Sequence, residues 1–147
     1  MLDTTTPAEL NKYLAVFITD YEAWMELVDL YLEEGKLELA SFCLEDVILS
    51  HPHDDKFFTL HGEIMYAHQK YKTARQLFSK ACESNPDNTR AHYGLFLSAA
   101  RHANEDKGSD NYEVGIFARD KLVQLYGEKN AMLLPYVNEM LNDWITE

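Results

Sequence analysis

The stretch YEAWMELVDLYLEEGKLELASFCLEDVILSHPHD, Tyr21 to Asp54, is followed directly by DKFFTLHGEIMYAHQKYKTARQLFSKACESNPDN, Asp55 to Asn88, and the two align without a gap at a spacing of 34 residues. In that register a large aromatic residue recurs as Trp24 and Phe58. Leu27 and Val28 answer to His61 and Gly62, Tyr31 to Met65, Ala40 to Ala74, Leu44 to Phe78, Val47 to Ala81, and Pro52 to Pro86. Each unit reads as two amphipathic helices, and neither helix can bury its apolar stripe alone. Stacking antiparallel pairs on one another satisfies both.

This spacing and these landmarks are those of the tetratricopeptide repeat. The expected fold is all-α: a solenoid of antiparallel helix pairs with a C-terminal capping helix, one domain over residues 1–147. Repeats are expected at 21–54, 55–88 and 89–127. Ala40 and Ala74 are small where the second helix of a repeat crosses the first, and Gly62 lacks a side chain where two backbones are expected to approach. Pro52 and Pro86 stop the second helices, because the residue before proline is driven out of the α region. Gly35 is expected to end the first helix of its repeat in a left-handed cap.

Before the first clear repeat, residues 7–18 read as a helix. Thr6, Pro7 and Glu9 form a capping box with proline at the first helical position, and Leu10, Tyr13, Leu14 and Phe17 make an apolar stripe. Leu10 and Tyr13 lie 34 residues before Leu44 and Val47. The helix therefore looks like the second half of an earlier repeat, and the natural protein or its assembly is expected to extend beyond this edge.

The third repeat begins near Thr89, with His92, Leu95 and Ala99 in the places of Trp24, Leu27 and Tyr31 and a first helix over 91–102. A polar insertion at 104–111 follows. The second helix resumes near Tyr112 and ends near Gly127, burying Val114, Phe117, Ala118, Leu122 and Leu125. Either Ala118 or Gly115 takes the place of Ala40 and Ala74. The capping helix is expected over 131–146, carrying Leu134, Val137, Leu141, Trp144 and Ile145, with Pro135 either in its first turn or at a kink.

An apolar fraction of 46% in 147 residues provides a real core and excludes a disordered tail. No run approaches the roughly 18 apolar residues of a membrane span, and the N-terminus lacks a secretory pattern. The formal charge of −12 argues against nucleic acid and against adsorption on anionic lipid, which both need clustered Lys and Arg. The acidic pairs, such as Glu33 with Glu34 and Glu45 with Asp46, read as solvated helix ends or as a match for a basic partner.

No catalytic, cofactor or metal constellation emerges. His51 and His53 beside Asp54 and Asp55 form the densest donor cluster but have no second pair at zinc spacing. His61 occupies an apolar landmark and is expected to be a hydrogen-bonded core residue, whereas His68, His92 and His102 are expected on first helices with one-sided exposure. Cys43 and Cys82 read as small buried thiols. Phosphate loops, nucleophile elbows and His-Glu-x-x-His are absent from the sequence.

Function in such a solenoid lies on the groove lined by first helices. Its expected lining is Glu22, Met25, Asp29, Leu32 and Glu33, then Lys56, Thr59, Glu63, Tyr66 and Ala67, then Arg90, Tyr93, Leu97, Ala100 and Arg101. The groove then runs from acidic to basic. Met25, Tyr66, Tyr93 and Leu97 would anchor an extended peptide or helix that the gradient orients.

The run Glu22-Ala23-Trp24-Met25-Glu26-Leu27 through Leu30-Tyr31-Leu32, followed by Ala40-Ser41-Phe42-Cys43-Leu44-Glu45-Asp46 and Pro52, resembles the tetratricopeptide region of the ER membrane protein complex subunit 2 family. Arg90-Ala91-His92-Tyr93-Gly94-Leu95 resembles that family's third-repeat signature. The resemblance covers about Asp20 to Ala103, and Phe42-Cys43-Leu44-Glu45 is more specific than the generic landmarks. It implies the C-terminal half of a longer solenoid. It also implies a non-enzymatic scaffold, cytoplasmic and peripheral to the endoplasmic reticulum, holding cytosolic segments of membrane subunits and a soluble subunit. That complex supports insertion of tail-anchored and multipass membrane proteins.

The main alternative is a co-chaperone or adaptor gripping acidic peptide tails through Lys, Asn and Arg on first helices. Met25, Asp29 and Gly94 stand where such a clamp needs other residues, and only Lys56 and Arg90 have a useful sign.

Overall fold

The computed structural model describes residues 6–105 and 111–145, with side chains described as far as Asp143. Among these residues the chain is all-helical: α1 Pro7–Val16, α2 Tyr21–Glu33, α3 Leu37–Ser50, α4 Asp55–Ala67, α5 Tyr71–Ser84, α6 Thr89–Glu105, α7 Asn111–Lys129, a 3-10 turn Ala131–Leu133, and α8 Leu134–Ile145. Helices α2/α3, α4/α5 and α6/α7 form the stacked pairs, with α1 against α2 and α8 against α7.

The 34-residue period governs the ends of the helices as well as their faces. Asp20 and Asp54 cap α2 and α4 by accepting from Ala23 N and Lys56 N, and Asn88 accepts from Ala91 N at 2.9 Å at the start of α6. At the other end, Gly35 (φ +71°) and Gln69 (φ +60°) hold the same left-handed position. Lys36 N bonds Tyr31 O and Lys70 N bonds Met65 O, both in the closing pattern of a Schellman cap. Before the prolines, His51 (ψ 64°) and Asn85 (ψ 96°) have left the helical region as expected.

The core is continuous from Leu10 and Leu14 to Val137 and Leu141. Ala40 and Ala74 are fully buried, as are Leu44, Phe78 and Ala81. In α7 the same offsets of four and seven residues join Ala118, Leu122 and Leu125, which are 0–2% exposed. This burial selects Ala118 over Gly115 as the counterpart of Ala40 and Ala74. Ala118 lies 44 rather than 34 residues after Ala74, so ten residues are inserted.

Several expectations need correction. The space beside Gly62 is occupied by the Phe78 ring, 2.9 Å from where a Cβ would stand, and not by a second backbone. Helix α1 stops at Val16, and its stripe splits: Leu10 and Leu14 are buried while Tyr13 and Phe17 are exposed, stacked at 4.7 Å on the outside. Phe117 is 61% exposed although it was expected in the buried face. The polar stretch at 104–111 is helical at both ends, with Asn104 and Glu105 in α6 and Asn111 opening α7; residues 106–110 and 146 lie outside the described residues, as do the side chains of Trp144 and Ile145. Pro135 lies in the first turn of α8.

Candidate partner-binding surface

Helices α2, α4 and α6 carry the expected groove residues, and their shared phase follows from the repeat. On α2, Glu22, Asp29 and Glu33 are exposed, while Met25 and Leu32 are half-buried against the core. These three carboxylates have no ion pair among the described residues. On α4, Lys56 and Ala67 are exposed and Tyr66 is half-buried, its ring 5.2 Å from that of Tyr71. On α6, Arg90 and Arg101 are exposed, and Tyr93, Leu97 and Ala100 are half-buried.

Thr59 does not belong to this surface. It is 4% exposed, donates to Asp55 O at 2.8 Å and accepts from Asn88 Nδ2 at 3.0 Å. The same Asn88 amide donates to Asp55 Oδ2 at 2.6 Å. One asparagine thus caps α6 and ties it to the first turn of α4, which fixes how the third repeat sits on the second.

The expected gradient is also altered. The Arg90 guanidinium grips Glu63 with two bonds, Nε to Oε1 and Nη2 to Oε2 (2.7 Å). Arg101 is hydrogen-bonded by Tyr66, which raises the guanidinium above its ordinary range. The basic end is therefore partly satisfied within the protein, and the free charge of the surface lies at its acidic end. Tyr93 is held edge-on to Tyr126 at 6.2 Å, and burial followed by the Tyr126 hydrogen bond pushes its phenol upward.

The histidines are mostly structural. His61 is buried with Nε2 2.7 Å from Ser41 Oγ, as its landmark position led us to expect. His92 and His102 depart from expectation, being 2% and 7% exposed. His92 Nε2 donates to Pro86 O at 2.9 Å, leaving Nδ1 to accept from the Cys82 thiol at 3.5 Å. His102 Nδ1 accepts from Asn111 Nδ2 at 2.7 Å, and Arg75 donates to Asn111 Oδ1 at 2.8 Å. His68, at the end of α4, is half-buried and 3.9 Å from Glu38.

Burial pushes the Cys43 thiol up to about 11 and the Cys82 thiol up to about 12, so neither is poised as a nucleophile. His51 packs against Tyr21 and Phe57, and Asp55 serves Asn85 and Asn88. Among the described residues no three His, Cys, Asp or Glu side chains converge on one point.

The family described as EMC2 TPR-like repeat domain matches residues 4–86. ER membrane protein complex subunit 2 of Xenopus tropicalis is 35% identical over 126 residues, covering 80% of this chain and 42% of the relative. The protein of the same name from Dictyostelium discoideum is 33% identical over 103 residues, covering 60% and 32%. The chain thus spans less than half the length of these relatives. Among solved structures, MamA 41-end from Desulfovibrio magneticus RS-1 superposes with a TM-score of 0.70 at 18% identity, covering 84% of this chain and 66% of that one. That likeness is one of fold.

Proposed function

The chain belongs to the ER membrane protein complex subunit 2 family of tetratricopeptide repeat proteins, and from this premise we propose that it is a non-enzymatic scaffold on the cytosolic side of that complex. It holds the cytosolic segments of membrane subunits and a soluble sister subunit, and so supports insertion of tail-anchored and multipass membrane proteins. The observation that carries this reading is the family match over residues 4–86, laid on a first-helix face whose exposed carboxylates have no ion pair among the described residues.

Glu22, Asp29 and Glu33 offer a basic segment of a partner its counter-charges, with Met25, Tyr66 and Leu97 as half-buried apolar anchors and Lys56, Ala67 and Ala100 on the same helices α4 and α6. Glu63, Arg90, Tyr93 and Arg101 form the far end, where internal pairs set the shape more than the charge. Among the described residues no helix is long and apolar enough to cross a membrane. In this reading the chain reaches the endoplasmic reticulum through its partners. The co-chaperone alternative loses support, since Arg90, one of two residues of the required sign, is engaged by Glu63.

The test is affinity purification of the full-length natural protein from gently solubilised cells, with mass spectrometry of what accompanies it. Recovery of ER membrane protein complex subunits is expected. Recovery of chaperones or soluble enzymes alone overturns the assignment and leaves the fold untouched.

A further inference from the structure

Helix α3 carries an apolar stripe that the fold does not use. Leu39, Phe42 and Leu49 are 45%, 63% and 80% exposed. Together with Asp46 they lie at offsets of three, seven and ten residues, on one helical face. The next repeat provides an internal comparison. Thirty-four residues on, the same positions of α5 are Thr73, Gln76, Lys80 and Glu83, all exposed. Repeat geometry therefore points this face to solvent, and α5 fills it with polar residues while α3 fills it with large apolar ones. Within the same helix Cys43 and Leu44 are core, whereas Phe42 points away from it.

The stripe is acidic along one edge, at Glu38 and Glu45, and carries Asp46 within it; all three are exposed, and between Leu37 and Ser50 there is no Lys or Arg. The far end of α3 opens into a cleft of about 280 Å³ shared by Asp46, Ser50, Trp24 and the 66% exposed Ile18, which prolongs the surface toward the α1–α2 turn.

We propose that the outer face of α3 docks a basic amphipathic helix of a partner protein, with its apolar stripe against Leu39, Phe42 and Leu49 and its Lys or Arg residues on Glu38, Glu45 and Asp46. The stripe runs about 15 Å, or about three helical turns, which suits a helix laid alongside. An anionic bilayer is disfavoured, since helices that lie on membranes flank their apolar face with Lys and Arg. A second copy is disfavoured as well, since a two-fold contact would set the acidic residues against each other. The surface lies on a second helix and is separate from the first-helix face described above.

The probe is a fluorescein-labelled amphipathic peptide of Leu and Lys, about 18 residues long, with a Leu–Glu peptide of the same pattern as control. The variant Leu39→Thr/Phe42→Gln/Leu49→Glu installs the residues that α5 itself carries, and circular dichroism melts of the two chains are expected to coincide. By fluorescence anisotropy the wild-type chain is expected to bind the Leu–Lys peptide at least about tenfold more tightly than the variant does, and at least about tenfold more tightly than it binds Leu–Glu. Phe42→Gln alone is expected to weaken binding at least about threefold. Equal affinities overturn the proposal. Sedimentation showing a dimer that the variant abolishes reassigns the face to a second copy. Flotation with phosphatidylcholine–phosphatidylserine vesicles that the variant abolishes reassigns it to lipid. Loss of peptide binding in Asp29→Lys but not in the triple variant moves the contact to the first-helix face, overturning this inference while leaving the scaffold reading in place.

Discussion

The ring of Phe78 fills the space that a Cβ on Gly94 would need. The same ring atoms, Cε1, Cδ1 and Cζ, also lie against Gly62, so one side chain of α5 occupies the space left by glycines of both α4 and α6. The first repeat solves the same problem with opposite volumes. Val28 stands at the place of Gly62 and Leu44 at the place of Phe78, both fully buried. Gly94→Ala is expected to destabilise the chain by about 1–2 kcal/mol, overpacking around a ring that cannot retreat outweighing the helix propensity gained. In a Phe78→Leu background the sign reverses, and the same substitution stabilises by about 0.5–1 kcal/mol. Urea denaturation of the four chains measures both steps; an unchanged sign shows that ring and glycine are not coupled.

Gly35 and Gln69 close α2 and α4 with the same cap, but only one of them is suited to a positive φ. Gln69→Gly is expected to stabilise by about 0.5–1 kcal/mol, and Gly35→Ala to destabilise by about 1 kcal/mol although nothing lies within 4 Å of the added methyl. Thermal melts that move both variants in one direction would contradict the shared geometry.

Burial holds the imidazoles of His61 and His92 below their ordinary value of 6.5. In the unfolded chain both take up protons near that value while the folded chain resists. Stability is therefore full above about pH 6.5 and falls as the pH drops toward the folded values, by up to about 1.4 kcal/mol per pH unit for each group. Urea midpoints from about pH 8 to about pH 5.5 should show this slope, and His61→Gln should lower it. A flat profile over that range excludes neutral burial of both rings.

Cys43 and Cys82, held near 11 and 12 by burial, are expected to react with a disulfide reagent at least about a hundredfold more slowly in the folded chain than in urea. Stopped-flow thiol titration at mild alkaline pH reads this directly. Fast reaction of Cys82 in the folded chain would mean that His92 draws out a thiolate, contrary to a neutral thiol donating to His92 Nδ1.

Reversing the acidic end, Glu22→Lys with Asp29→Lys, is expected to cut recovery of complex subunits at least about tenfold in the affinity purification while leaving the melting temperature unchanged. Glu63→Lys is expected to act differently, because it strands Arg90 and disturbs the junction of the second and third repeats. Equal loss from both would place the contact beyond the acidic end.

The helix pairs, the proline stops, the capping box at Thr6 and the left-handed turn at Gly35 are legible in the order of residues, because each depends on neighbours within one repeat. Applying the period of 34 to Gly35 would have found Gln69, and applying it to Asp20 and Asp54 would have found Asn88. The burial of Thr59, the Arg90–Glu63 pair and the enclosure of Phe78 carried no such signal. They join residues 16 to 29 apart in sequence, brought together only when one repeat packs on the next.

By itself, then, the sequence determined the repeat, its register through Asn88 and the family, since helical periodicity and capping are local and are written in the order of residues. Tertiary structure alone decided that Ala118 continues the register past the insertion, that His92 and His102 turn inward, that the basic end of the first-helix face is internally paired, and that Phe42 is left outside. Those outcomes depend on how each pair of helices is rotated onto the next, and that rotation is set by the volumes and hydrogen bonds of side chains meeting across repeats.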